Sequence, residues 1–114
     1  MQYLQPLNVT VSKTEAVSPT PYGVVSKTLE DNCIYVVDPA PALTSIVLMI
    51  GNTFRAGIVD FITGSTPPTF GLTSGFTYIG ANCSANGFTP VANKHYRIAL
   101  QYDGITKLAY VESL

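Results

Sequence analysis

Apolar and polar positions along this chain come in short bursts, and no segment carries the 3.6-residue period of an amphipathic helix. Residues 33–37 (CIYVV), 43–50 (LTSIVLMI) and 55–63 (RAGIVDFIT) read as strands. They are closed in turn by Asp38-Pro39-Ala40-Pro41, by Gly51-Asn52 and by Gly64-Ser65-Thr66-Pro67-Pro68. Proline has no N–H for a ladder, so the first and last closures are firm stops. Residues 69–73 and 76–79 are shorter runs around Ser74-Gly75. Residues 95–102 (HYRIALQY) and 105–111 (ITKLAYV) flank Asp103-Gly104, a dipeptide that tolerates the positive φ angles of a two-residue type I′ hairpin. Such a turn sets Tyr102 opposite Ile105, Leu100 opposite Lys107, Ile98 opposite Ala109 and Tyr96 opposite Val111. Lys107 is then the one misfit on an apolar face. Either it snorkels at the sheet margin, or the loop is longer and the register shifts.

The first residues read differently. Leu7, Val9 and Val11 alternate over one short stretch, after which Ser18-Pro19-Thr20-Pro21-Tyr22-Gly23 breaks any continuation. Residues 1–21 are expected to be an extended N-terminal arm, or to supply a first edge strand at residues 7–11. Residues 22–114 are expected to form one domain. Regular spacing of strands and turns predicts an all-β fold, an antiparallel β-sandwich of the jelly-roll or Ig-like kind.

Composition narrows the function classes. Of 114 residues only 13 are charged, 11% against roughly 25% in an ordinary soluble domain. Six basic and seven acidic residues leave a net charge of −1, so there is no basic field for a phosphate backbone or an anionic membrane. The longest apolar run is five residues (46–50), far short of the roughly 20 of a spanning helix. Neither nucleic acid nor membrane is an expected partner. Thirteen Thr, eight Ser, six Asn, nine Gly and eight Pro supply strand and turn chemistry instead. Cys33 and Cys83 are far apart with no CxxC pair, and the first residues (MQYLQP) lack a basic and then apolar secretory pattern. Both cysteines are therefore expected to be reduced, in a protein assembled in a cytoplasm.

Candidate chemistry is sparse. A hydrolytic triad would have to use the single histidine, His95, which has no GxSxG elbow or protease-like cysteine context and reads as an exposed structural residue. One His, two isolated Cys and seven scattered carboxylates show no metal-ligand spacing, so no metal or cofactor is expected. Glu30-Asp31 reads as a solvated turn. The glycines form neither GxGxxG nor GxxxxGK and sit in no strand-to-helix context. Seven Tyr and five Phe could stack sugars, but aromatics on strands pack in cores more often.

One set of words carries a family resemblance. Residues 59–70 (VDFITGSTPPTF), Tyr78-Ile79-Gly80, residues 90–96 (PVANKHY) with Ile98, and Tyr102-Asp103-Gly104 resemble, in this order, a module of bacteriophage virion proteins. Where that module commonly carries tryptophan, this chain has Tyr78-Ile79. The resemblance spans roughly residues 30–112. It implies a virion structural part, a capsid decoration or head-fibre component, and transfers no catalytic residue. The expected protein is non-enzymatic, a homodimer or homotrimer bound to the phage capsid or other virion proteins. Its attachment arm would place Tyr3, Leu4, Leu7 and Val9 in a neighbour's pockets by strand addition. The alternative is a tail-associated adhesin that binds host surface glycan through loops such as residues 80–89 (GANCSANGFT). Between Pro39 and Asn93 only Arg55 and Asp60 are charged, so this middle region is expected to be covered by other subunits.

Overall fold

The computed structural model describes residues 11–114. Along them run β1 (Lys13–Val17), β2 (Val24–Leu29), β3 (Cys33–Val37), β4 (Ser45–Ile50), β5 (Ala56–Ile62), β6 (Thr69–Leu72), β7 (Phe76–Gly80), β8 (Cys83–Ser84), β9 (Gly87–Phe88), β10 (His95–Tyr102) and β11 (Lys107–Ser113). The described residues contain no helix. The all-β class therefore holds. From β3 to β5 the strands follow the apolar bursts closely: residues 33–37 are β3, and 43–50 and 55–63 are trimmed at their ends to β4 and β5. By contrast, β1 lies at Lys13–Val17, within the stretch expected to be an arm.

The layout is not the antiparallel one expected. A six-stranded sheet has the order β1-β3-β5-β10-β11-β7, and a three-stranded sheet has the order β2-β4-β6. Within them β1–β3, β3–β5, β2–β4, β4–β6 and β7–β11 are all parallel. Only β5–β10, β10–β11 and the small β8–β9 ribbon are antiparallel. For its first six strands the chain alternates between the two sheets, so Lys13 pairs with Cys33, twenty residues on, and Cys33 with Gly57, twenty-four on. Two successive crossings restore the strand direction, which makes neighbours in each sheet parallel. A turn signal in the sequence marks where a strand stops; it carries no information about which sheet the next strand joins.

The crossings stack on one another. Thr44 donates its N–H to the Gly23 carbonyl at 2.8 Å and its hydroxyl to the Tyr22 carbonyl at 2.8 Å. A Cβ on Gly23 (φ +79°) would stand 2.1 Å from the Ala42 carbonyl oxygen, so only glycine permits this approach.

The β10–β11 hairpin shows the second of the two registers open to it. Tyr102 pairs with Lys107, Leu100 with Ala109, Ile98 with Val111 and Tyr96 with Ser113, two residues away from the two-residue-turn pairing. The loop is residues 103–106. Asp103 Oδ1 accepts from the Ile105 and Thr106 amides at 2.8 and 2.7 Å, while Gly104 takes φ +97°. Lys107 thereby moves from the middle of the apolar face to its margin, where its ammonium reaches the Ser74 carbonyl at 3.0 Å.

Inward residues of both sheets form one cluster. Val25, Leu29, Ile46 and Leu48 of the small sheet meet Cys33, Tyr35, Val37, Val59, Phe61, Ile98, Leu100, Ala109 and Val111 of the large one. Where the small sheet ends, Phe61, Phe70, Phe88 and Tyr96 pack with ring centroids 5.0 to 6.4 Å apart. The fully buried Tyr96 is satisfied: its hydroxyl donates to Asn82 Oδ1 at 2.7 Å and accepts from the Val91 amide at 3.0 Å. Tyr35 likewise accepts from the Glu30 amide at 2.6 Å. The two cysteines are free, Cys33 in the core and Cys83 half-buried.

The exit from β7 gives a direct stability test. Gly80 has φ +115°, and a Cβ there would lie 2.1 Å from the Val111 carbonyl oxygen, which also accepts the Ala81 N–H at 3.0 Å. Gly80→Ala is expected to cost about 3 kcal/mol in denaturant unfolding from strain and displaced backbone. Gly87→Ala, with nothing within 4 Å of the added carbon, should stay within about 0.5 kcal/mol of the parent.

Candidate functional site

Chemistry-bearing side chains converge at one place on the outward face of the large sheet. Residues 56–62 alternate so that Val59 and Phe61 point into the core, and Asp60 therefore points out between Ile58 and Ile62. Arg97 stands directly across from Asp60 on β10, and His95, two residues earlier, lies on the same face. Arg97 Nε donates to Asp60 Oδ2 at 3.2 Å, and His95 Nε2 lies 2.5 Å from Asp60 Oδ1. The carboxylate is nearly enclosed, with its side chain 10% exposed, whereas those of His95 and Arg97 are 39% and 45% exposed.

Arg97 balances the carboxylate's charge, and His95 completes the cluster through its Nε2. Asp60 meets the ring at Nε2, whereas the carboxylate of a Ser-His-Asp triad accepts from Nδ1–H. The third member is missing among the described residues, since no hydroxyl or thiol there hydrogen-bonds to His95. What the arrangement does is pin β5 to β10 in register. His95 is thus more than the exposed residue its sequence context suggests. The readable sign was Asp60 itself, an isolated carboxylate inside an apolar strand, with His95 and Arg97 two apart on the neighbouring strand.

Of the adjacent carboxylates Glu30 and Asp31, the second serves the backbone. Asp31 Oδ1 accepts from the Arg55 and Ala56 amides, both at 2.9 Å, and so fixes the start of β5 from the turn between β2 and β3. Its neighbour Glu30 meets Lys13 at 3.4 Å with both side chains mostly in solvent, a pair worth little.

A second place is a groove of about 390 Å³ beside β7. It runs between the end of β6, the turn at residues 73–75, and the β8–β9 ribbon, with Tyr78 and Asn86 among its walls. The Tyr78 N–H donates to the Ala85 carbonyl at 3.2 Å, which holds the ribbon against β7. Residues 80–89 of the sequence therefore provide one wall of this groove through Asn86. Tyr3, Leu4, Leu7 and Val9, the residues expected to attach a partner, lie outside the described residues.

Two measurements check these assignments. Asp60→Ala should lower stability by about 1–2 kcal/mol, and His95→Ala by about 1 kcal/mol or less because the half-exposed imidazole leaves Arg97 still paired. For the hairpin loop, the Thr106 and Ile105 amides hold the Asp103 carboxyl below its ordinary value. A folded pKa below the unfolded one means that the contribution is complete above about pH 4 and is lost as pH falls through the folded value. Amide chemical shifts of Ile105 and Thr106 should accordingly titrate at a pH below that of an ordinary aspartate, and Asp103→Ala should abolish the titration.

Compared with protein-family models, with curated proteins and with solved structures, the chain finds no match in any of the three.

Proposed function

We propose that this protein is a non-enzymatic structural component of a bacteriophage virion, a β-sandwich of capsid decoration or head-fibre type that binds the capsid as a homo-oligomer. The observation that carries the reading is the outward face of the three-stranded sheet. By strand alternation it displays Val24, Ser26 and Thr28 of β2, Ser45, Val47 and Met49 of β4, and Thr69 and Gly71 of β6. No charged side chain stands among them, and Val47 and Met49 are exposed. The charge-poor middle of the sequence thus falls in part on one flat surface. A neutral face costs little to desolvate and stacks readily on another sheet.

Size decides how far this face can act alone. Three strands about 4.8 Å apart, two of six residues and one of four, present a footprint of at most roughly 14 by 20 Å, well below the roughly 800 Å² per partner of a standard interface. Further surface has to come from elsewhere in the chain. The N-terminal residues suit that role, with Tyr3, Leu4, Leu7 and Val9 as the side chains that enter a neighbour's pockets while the backbone adds a strand. Because β1 is itself the edge strand of the large sheet, the truncation that tests attachment removes residues 1–10 and spares β1.

A second reading, a tail-associated module that binds host glycan, is favoured by the groove at Tyr78 and Asn86. Copy number separates the two. Quantitative electrophoresis of purified particles, with antibody-labelled electron micrographs, should give tens to hundreds of copies on the head and loss of the 1–10 truncation from particles. A handful of copies at the tail would favour the adhesin, and wild-type occupancy by the truncated chain would remove the attachment arm.

A further inference from the structure

The groove beside β7 exists because the two sheets are unequal. β6 is the edge of the small sheet on one side, and β7, the far edge of the large sheet, packs with the β8–β9 ribbon. Phe88 of that ribbon fills the space next to Phe61 and Tyr96. Beyond it the cover is incomplete, and about 390 Å³ remains open between Leu72, Thr73, Thr77, Tyr78 and Asn86. That volume lies at the lower end of small-ligand sites and has room for one or two sugar rings.

From these walls we infer that the groove binds an uncharged saccharide, with Tyr78 offering its ring and hydroxyl and Asn86 its amide. The inference rests on the glycan-binding reading above and names its site and ligand class. None of the lining residues is charged. The cation at the margin, Lys107, is committed: its ammonium lies 3.0 Å from the Ser74 carbonyl and 5.4 Å from the centre of the Tyr102 ring. A phosphate or carboxylate would therefore meet no free counter-charge, whereas hydroxyl groups meet neutral donors and acceptors. Thr73 Oγ1 accepts from the Ile50 amide at 3.0 Å and still has its own proton to donate. Thr77, Tyr78 and Asn86 bring further neutral polar groups to the groove's walls. Burial pushes the Tyr78 phenol up, as expected for a neutral hydroxyl on a half-enclosed ring. The apolar face of a pyranose can lie on such a ring while its hydroxyls reach Asn86 and Thr73.

The walls are also held in place. The ribbon is tied to β7 through the Tyr78 amide and to β10 through the Asn82–Tyr96 hydrogen bond. Gly75, at φ +97°, turns the chain under the Lys107 side chain. Little ordering is left to be done on binding, which removes one cost of recognising a small rigid ligand.

The test uses the whole chain, isotopically labelled, titrated with glucose, galactose, mannose and N-acetylglucosamine into the millimolar range, and with sialic acid as the charged comparison. The expected result is saturable shifts at residues 73–78 and 86 with at least one neutral sugar and none with sialic acid. Asn86→Ala and Tyr78→Phe, which leave the core and the ring in place, should weaken that binding roughly tenfold each with unchanged Tm. Sugar shifts that map elsewhere, or that both variants retain, would overturn the groove assignment while leaving a glycan-binding protein. Preference for sialic acid would overturn the neutral-ligand assignment. Absence of shifts with every sugar would overturn the inference together with the reading on which it rests.

Discussion

Two sheets of unequal width share one core, and most of the remaining structure answers to that mismatch. Three strands can cover only part of the inner face of six. Over β3, β5, β10 and β11 the cover is good, and Tyr35, Val59, Ile98 and Val111 share one buried cluster with Val25, Ile46 and Leu48. At the far edge of the large sheet, β7 packs with the β8–β9 ribbon instead. Apolar surface left open there would cost about 25 cal/mol for each Å² in contact with water. The β8–β9 ribbon lies over this region, and Phe88 completes an aromatic cluster whose members come from both sheets and the ribbon. The ribbon is only two residues wide on each side, so it covers the cluster and stops short of the sheet edge. The groove is what remains.

The few charges of the chain are largely spent on holding backbone and register. Asp31 fixes the start of β5, Asp103 builds the loop of the last hairpin, and Asp60 locks β5 to β10 through Arg97 and His95. Lys27 meets Glu15 across the edges of the two sheets at 2.6 Å. A carboxylate that accepts two amides or an arginine is a positional device, and its neighbours can then be small and neutral. The outward face of the small sheet carries none of these charges. Among monomeric proteins such faces are usually guarded by lysine or glutamate. Here the neutral face is consistent with service in an assembly.

Much of the fold was legible in the sequence. The positions of β3 to β7, β10 and β11 followed from apolar bursts bounded by proline, glycine and asparagine, whereas β1, at Lys13–Val17, carries no apolar burst and falls in the stretch read as an arm. The need for a longer hairpin loop was already signalled by the awkward position of Lys107 opposite Leu100. Parallel pairing was not legible, since the connections after β1, β2 and β3 look like ordinary turns and their crossing between sheets is decided by the shared core. The Asp60 cluster was half-visible, as a lone carboxylate in an apolar strand, but its partners lie 35 and 37 residues away and only the β5–β10 register brings them together. The groove had a weaker sign still. Residues 80–89 read as a surface loop of small polar groups, and their folding back as a ribbon against β7 depends on Phe88 finding the aromatic cluster.

The central claim is that the uncharged face of the small sheet is covered by another copy of this chain. Sedimentation equilibrium over a range of concentrations tests it most directly, with the parent chain run beside Val47→Lys, a change on the outward side of β4 that leaves the core intact. The account predicts a parent mass of two or three times 12.2 kDa and a shift of the variant towards the single-chain mass with an unchanged circular dichroism spectrum. A parent that stays at 12.2 kDa at every concentration, or a variant that associates as the parent does, would contradict it.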